Sequence, residues 1–211
     1  MTSAESGDAD SDSPVDETES GADATEEEGQ YAIVLDHLPH GRPDDDRPRY
    51  KKSPLAYALG EQNFRLFELR LTDDSDTSIG DTVVLFPAEK REAVEELREV
   101  EYDDLSNTAH SELEYVVEDI VTENERRFVD FYNDAQPITL RLHQLNLLPG
   151  IGKKLRNNVL DERKRGPFES FEDIEERVSG LHHARDVLVE RVMEELRDDD
   201  LKYKTFVGRD D

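Results

Sequence analysis

The sequence predicts an α+β protein with a small N-terminal β-barrel, a C-terminal all-α domain and a disordered acidic tail before both. Residues 1–30 hold eleven acidic side chains and no basic one, and they have too little apolar surface to offset the entropy of ordering. Short apolar or alternating runs separated by turn residues follow, as is typical of a small barrel. From Ser106 onward the apolar residues recur at helical spacing.

The tail is predicted to cover residues 1–29 and the barrel residues 30–102. Each predicted strand is a short apolar or alternating run next to Gly, Pro, Asp or Asn. The predicted strands are residues 31–38, 54–59 (a strand or a turn), 63–71 and 79–86. Residues 88–100 allow two predictions. Their composition favours a helix, while Val94, Leu97 and Val100 could also line a strand.

The helical half is predicted in two parts, a connector over residues 103–135 and a domain over residues 136–198. In the connector, Leu113, Val116, Val117, Ile120 and Val121 have the spacing of an amphipathic helix. The domain should hold helices over residues 138–148, 153–165, 171–178 and 184–196. Ser170 is expected to cap the third of these, with Asp173 in the acidic position of a capping box. Residues 199–211 are predicted as a terminal strand, at 201–207, and a tail.

The formal net charge of the 211 residues is −27, and Arg is used more often than Lys (18 against 8). Acid spread along the whole chain with scarce Lys indicates adaptation to molar intracellular salt, where charges are screened within about 3 Å. The alternative, an acidic surface for basic partners, is less favoured. The chain has no cysteine, which excludes disulfides and thiolate metal sites. Because no apolar run approaches ~20 residues and the N-terminus is acidic, we expect a cytoplasmic protein without membrane contact.

A cationic island interrupts this acidic background. Between Pro137 and Pro167 there are seven basic residues against two acidic ones. The island surrounds Leu148-Pro149-Gly150-Ile151-Gly152, which resembles the turn of a helix-hairpin-helix motif. In such a turn, glycines allow positive φ and close approach of a ligand, and the amides of the next helix face an anion. The predicted phosphate-contacting residues are Gly150, Ile151, Gly152, Lys153, Lys154, Arg156, Arg163, Lys164 and Arg165.

Alternatives to phosphate binding follow from the same residues. A Gly-x-Gly turn can be purely structural, but Lys153 and Lys154 at a helix N-terminus cost helix stability, which favours a ligand. Residues 178–182 (VSGLH) echo the turn and are expected to be mainly structural, because His182 replaces the second glycine. A metal site at His182 and His183 is not expected, since no third ligand lies at helical spacing.

A second basic cluster lies in the loop after the first predicted strand. It comprises Arg42, Arg47, Arg49, Lys51 and Lys52, with Tyr50 among them. Rings and cations on a barrel loop suit unpaired bases, and a solvated loop with local ion pairs fits the residues equally well. We do not expect Asp44–Asp46 to bind magnesium, because runs of acid are common in this chain.

Several stretches are similar to an archaeal family filed as domain of unknown function six-five-five. They are YAIVLDHLPHG, RPRYKKSPLAYALGE, SELEYVVEDIV, ERRFVDFYNDAQPITLRLHQLNLLPGIGKK, ERKRGPFESFEDIEERV and KYKTFV. This resemblance implies an oligonucleotide-binding-like (OB-like) barrel, a C-terminal helix-hairpin-helix region and a nucleic-acid-binding role.

We therefore expect a non-catalytic nucleic-acid-binding protein, with RNA favoured over DNA and with no cofactor and no metal. Its contacts are the hairpin residues above together with Arg47, Arg49, Tyr50, Lys51 and Lys52. The alternative is a protein-interaction module in a ribosome or repair assembly. An enzyme is disfavoured, because no paired carboxylates, catalytic histidine or Walker-type loop can be distinguished from the acidic background.

Overall fold

The fold is α+β, with a curled antiparallel sheet followed by helices. The structure, a computed structural model, describes residues 29–42, 46–48 and 52–208. The predicted disordered tail therefore lies outside the described residues, except for Gly29. The five strands are β1 (Gln30–Leu38), β2 (Leu55–Gly60), β3 (Leu66–Leu71), β4 (Thr82–Phe86) and β5 (Val94–Val100). In this part of the chain the α-helices are α1 (Asn107–Glu123), α2 (Glu125–Asp134), α3 (Lys153–Arg163), α4 (Phe171–Arg177) and α5 (Ala184–Arg197).

The sheet has the strand order β4-β1-β2-β3-β5, and every neighbouring pair is antiparallel. Alternate residues of a strand point to opposite faces of the sheet, and both faces carry buried residues. Val34, Ala58 and Leu69 pack inside the curl of the sheet, whereas Leu35 and Leu59 pack against the helices. The sheet is thus a half-barrel with its own core, and it shares its outer core with the helical half.

The predicted strands are confirmed at each position: β1 and β2 lie within one residue of their predicted bounds, and β3 and β4 begin three residues later than predicted. The ambiguous segment 88–100 divides into a short 3-10 turn, Ala88–Lys90, and strand β5. Val94 and Val100 are buried at the two ends of β5 while the residues between them are largely exposed. The strand forms because its backbone pairs with β3, as in the register Leu66 to Val100, and this pairing overrides the helical composition.

Helices α1 and α5 hold the helical half against the sheet. The Ser106 hydroxyl accepts a hydrogen bond from the Ala109 amide (3.1 Å) and starts α1. The predicted apolar stripe of α1 is buried and packs on β1, β2 and α5. The predicted cap of α4 is also present, because the Ser170 hydroxyl accepts from the Asp173 amide (3.1 Å).

The helix predicted over residues 138–148 is wrong for most of its length. Residues 137–143 form a compact loop in which Pro137 bridges His143, and only Gln144–Leu147 forms a 3-10 turn. The Thr139 hydroxyl accepts from the amides of Arg141 and Leu142. This side chain gives the backbone a hydrogen-bonding alternative to the helix.

The terminal strand predicted at 201–207 is also wrong. The amides of Thr205, Phe206 and Val207 donate to the carboxylate of Glu195 at 2.8–3.0 Å instead of pairing with a strand. Glu195 is fully buried on α5 and also accepts from the Arg191 guanidinium (2.8 Å). The segment therefore runs as a strap that is held to α5. No helix in the described ranges has the length and apolar character required to cross a bilayer.

Candidate nucleic-acid interface

The first hairpin (residues 144–155) joins the 3-10 turn Gln144–Leu147 to α3 through a tight turn. The Ile151 amide donates to the Leu148 carbonyl at 3.2 Å, and Gly150 between them has φ +74°. Because a side chain is strained in this left-handed region, the turn itself requires glycine at position 150. Leu148 and Ile151 are only 2% and 3% exposed, so they anchor the turn in the core.

The helix after this turn begins with unsatisfied amides. The Arg156 amide donates to the Gly152 carbonyl (3.0 Å), the first bond of the α3 ladder. Among the described residues, no acceptor faces the amides of Lys153, Lys154 and Leu155, and Gly152 supplies no side-chain cap. These N–H groups carry the partial positive charge of a helix N-terminus, which makes them available to an anion.

Gly152 leaves open space at this position. Its backbone is extended (φ −76°, ψ 179°), a conformation open to any residue, and a Cβ atom added here would meet no atom within 4 Å. Neither backbone strain nor packing within the protein requires a glycine at position 152. The absence of a side chain does expose the free amides of α3.

Three cations surround the start of α3. Lys153 and Lys154 are exposed, and neither has a partner within the ranges that the structure describes. Arg156 donates to the side-chain oxygens of Asn146 (3.1 Å) and Asn157 (2.9 and 3.2 Å). Both partners are neutral amides, so Arg156 is oriented while its charge stays uncompensated.

Asn146 is a site residue that sequence reasoning missed. Its side-chain amide donates to the Ile151 carbonyl (3.0 Å), while its oxygen holds Arg156. It therefore fixes the cation relative to the turn. No sequence signal marked Asn146, because it lay inside a segment predicted to be helical.

The other three predicted cations of the hairpin have partners within the protein. The Arg163 guanidinium donates to the carbonyls of Tyr132, Asn133 and Ala135 at 2.8–3.2 Å, which caps the C-terminus of α2. Burial lowers the pKa of Arg163, and Asp134 partly offsets this effect. Two exposed ion pairs hold the remaining cations: Lys164 with Asp161 (2.9 Å) and Arg165 with Glu162 (2.7 Å).

His143 lies under the first hairpin and is 6% exposed. Its Nδ1 accepts a hydrogen bond from the Leu145 amide (3.2 Å), which requires that nitrogen to be unprotonated. Burial, with Arg163 and Arg156 nearby, lowers the pKa of His143. The neutral imidazole is thus part of the support of the hairpin.

The second hairpin (residues 174–186) has the same turn. The Leu181 amide donates to the Val178 carbonyl (3.1 Å), Gly180 has φ +93°, and Leu181 is buried. It packs beside the first hairpin: the Cβ position of Gly180 lies 3.9 Å from the Leu155 side chain, and the Asn158 amide donates to the Ser179 carbonyl (3.1 Å).

The two hairpins differ at the start of the following helix. The Ala184 amide, the first of α5, donates to the Glu175 carboxylate at 2.8 Å. A cavity of about 640 Å³ lies beside it. The acidic residues that line it are Glu125, Glu172, Glu175, Glu176 and Asp186. The other polar residues of the lining are Thr122, His182, His183 and Arg185. No group of three His, Asp or Glu side chains in the described ranges is arranged to hold a metal ion.

The second basic cluster lies at one end of the sheet. Arg47 and Lys52 line a small cavity of about 200 Å³ together with Arg42, Glu68 and Arg70. The Lys52 ammonium donates to the Arg42 carbonyl (3.3 Å), and Arg42 pairs with Glu68. The other predicted residues of this cluster, Arg49, Tyr50 and Lys51, lie outside the described residues, as do Asp44 and Asp45.

The fold and the paired hairpins define an α+β protein with a curled sheet and an attached helical unit. The model of a family described as "Protein of unknown function (DUF655)" matches residues 28–208. The chain belongs to this family, as the resemblance of its sequence implied.

Two archaeal relatives are similar over most of the chain. The uncharacterised protein MJ0038 of Methanocaldococcus jannaschii is 42% identical over 179 residues, which covers 84% of this chain and 79% of the relative. The crystal structure of Af1531 from Archaeoglobus fulgidus, from the same family, matches with a TM-score of 0.78 at 42% identity. That match covers 85% of this chain and 99% of the other.

Proposed function

We propose that this protein is a non-catalytic nucleic-acid-binding protein whose first hairpin holds a backbone phosphate. The observation that carries the proposal is the open start of α3. Free amides at Lys153, Lys154 and Leu155 face outward beside Gly152, whose missing side chain the fold does not require. A phosphate oxygen accepts such N–H bonds without any base being read.

The charge at this position supports an anionic ligand. A cation in the first turn of a helix opposes the helix dipole, at a cost of about 0.3–1 kcal/mol for each charge. The chain uses only eight Lys residues against 53 acidic ones, yet two unpaired Lys residues stand there. An acidic residue at either position would stabilise the helix, so stability does not explain the choice.

We infer the finer architecture from the same features. The first hairpin is the binding unit of a helix-hairpin-helix pair, with a 3-10 turn in place of a full first helix, and the half-barrel is OB-like. Its loop at Arg47 and Lys52, with Arg49, Tyr50 and Lys51, supplies a second contact. RNA is favoured over DNA, because cations and a ring on such a loop suit unpaired bases. The protein acts in a salt-rich cytoplasm.

The proposed contact set in the hairpin is smaller than the one that the sequence predicts. It comprises the amides of α3 with Lys153, Lys154 and Arg156. Arg163 is assigned to the C-terminus of α2 and is left out. Lys164 and Arg165 contribute only to the long-range field, because each has a carboxylate partner.

A second candidate function is a protein-interaction module, which the loop over residues 137–143 favours. Leu140 is fully exposed at its tip, beside the exposed Arg141. A protein partner would be lost with Leu140→Ser and retained with Lys153→Glu. The proposed nucleic-acid contact predicts the opposite result.

The test is crosslinking and sequencing of nucleic acid bound in the native host, for wild type and for Lys153→Glu/Lys154→Glu. Glutamate in the first turn favours α3, so lost binding could not result from unfolding. The matched control is Lys164→Glu/Arg165→Glu, which makes the same charge change at paired cations just beyond the same helix. We expect RNA with wild type and control but not with the first variant. Equal recovery from wild type and both variants would contradict the proposal.

A further inference from the structure

We propose that the protein accommodates one nucleic-acid strand only, so that its ligand is single-stranded and not a duplex. This inference rests on the proposed function of the first hairpin. It is carried by the second hairpin, which has the same turn but is closed to anions.

The first step concerns position. The second turn touches the first turn of α3, since the Cβ position of Gly180 lies 3.9 Å from Leu155, and Ser179 accepts a hydrogen bond from Asn158. A strand whose phosphate binds at Lys153 and Lys154 therefore runs directly beside the second hairpin. A duplex that lies across both hairpins places its second backbone at this surface.

The second step concerns the amides of α5. At the start of α3 the amides of Lys153, Lys154 and Leu155 are free, whereas at the start of α5 the Glu175 carboxylate accepts from the first amide, that of Ala184, at 2.8 Å. The carboxylate occupies the place that an anionic ligand would take. A phosphate there would have to displace Glu175 and then stand next to its charge.

The third step concerns the surrounding field. Glu172, Glu176 and Asp186 line the same cavity as Glu175. Among the described residues, Arg185 is the one Lys or Arg in this lining, and it pairs with Asp186 at 3.0 Å. The two backbones of a duplex lie close together across its grooves, about 6–12 Å apart in B-form DNA and across a deep, narrow major groove in A-form RNA. A duplex is also stiff, with a persistence length of ~150 base pairs for DNA. It cannot bend its second backbone away from these acids, but a flexible single strand can turn away.

The experiment uses fluorescence anisotropy to measure how tightly the protein binds one RNA of mixed, non-self-complementary sequence. The RNA is offered either as a single strand or annealed to its complement. We expect wild type to bind the single strand at least about tenfold more tightly. Equal or tighter duplex binding that Lys153→Glu/Lys154→Glu abolishes would overturn this inference and leave the proposed function standing. No binding of either form would contradict both.

A gain-of-function variant tests the cause. Glu172→Gln/Glu175→Gln/Glu176→Gln removes three charges, and the amide oxygen of the new side chain at position 175 can still accept from the Ala184 amide. The control, Asp103→Asn/Glu112→Gln/Glu114→Gln, removes three charges at the start of the helical half. The single-strand preference is the Kd for the duplex divided by the Kd for the single strand. We expect the first variant to lower this ratio at least about threefold more than the control does. Equal effects of the two would overturn the assignment to the second hairpin.

Discussion

The two hairpins of the helical half share a turn and differ in what faces the helix that follows. In both turns a backbone amide donates to the carbonyl three residues before it, which belongs to Leu148 in the first turn and to Val178 in the second. The glycine just before the donating residue has a positive φ in both. In both, a buried aliphatic side chain anchors the turn. After the first turn come an open glycine and two lysines that have no partner among the described residues. After the second turn come two histidines, and the Glu175 carboxylate of α4, which precedes this turn, already accepts from the Ala184 amide.

This difference separates what the turn does for folding from what it does for binding. The turn and its anchor are needed by the core, and they are present in both hairpins. The anion site depends on the few atoms in front of the helix, and in the second hairpin the Glu175 carboxylate already occupies the first helix amide. A hairpin of this type is therefore not a binding site by its turn alone.

The largest expected effect concerns the buried side chains that anchor the turns, a feature that both hairpins share. Ile151→Ala and Leu181→Ala each remove a buried side chain, and each should lower the free energy of unfolding by about 2–5 kcal/mol. Chemical denaturation of both variants measures the two losses. A loss below about 1 kcal/mol at one position only would show that the two turns are not anchored alike.

The next effect concerns the group in front of the helix that follows each turn, where the two hairpins differ. Gly152→Asp places a carboxylate in front of the α3 amides, so it should raise stability by a few tenths of a kcal/mol and weaken nucleic-acid binding at least about tenfold. The matched control is His183→Asp, at the N-cap of α5, where Asp tolerates the left-handed backbone. Unfolding midpoints and binding isotherms check both, and unchanged binding by Gly152→Asp would argue against the site.

A smaller effect concerns the glycines of the turns. Gly150→Ala and Gly180→Ala force a side chain into the left-handed region, at a cost of roughly 1–2 kcal/mol each. Space is available at both positions, so the cost is conformational and should be similar in the two hairpins. Thermal unfolding measures it, and a much larger loss at one glycine would reveal a packing role.

The smallest effect is a pH dependence in the first hairpin. Burial lowers the pKa of His143 in the folded state. As the pH falls, His143 therefore takes up its proton at a higher pH in the unfolded chain than in the folded protein. The stability contributed by the neutral ring is present above about pH 6.5 and is lost as the pH falls toward the lower folded value. His143→Asn should flatten this part of the profile, measured by denaturation across the range. A slope unchanged by the substitution would assign the titration elsewhere.

Much of the fold could be predicted from the sequence, because local patterns match the tertiary contacts. The strands alternate, α1 has a continuous apolar stripe, and the glycines of the turns stand where positive φ is needed. Two segments were wrong, the first because of local hydrogen bonds and the second because of a tertiary contact. Residues 138–143 are held by the Thr139 hydroxyl, and residues 201–207 are held by a buried carboxylate on α5.

The candidate site was only partly predictable. Gly152, Lys153 and Lys154 were visible as an exception to the acidic composition. The role of Glu175 was not, because one carboxylate that caps a helix cannot be distinguished among 53 acidic residues. In the sequence, Arg163 and Lys153 are both cations of the same island. The structure distinguishes them, because the Arg163 guanidinium donates to carbonyls at the end of α2.

The most direct measurement is a backbone amide NMR titration of the whole chain with a single-stranded RNA oligonucleotide. The account predicts large, saturable shifts at the amides of Lys153, Lys154 and Leu155, with little change at Ala184, Arg185 and Asp186. Shifts of equal size at both helix starts would contradict the closed second hairpin. Binding that leaves residues 153–155 unmoved would contradict the phosphate site itself.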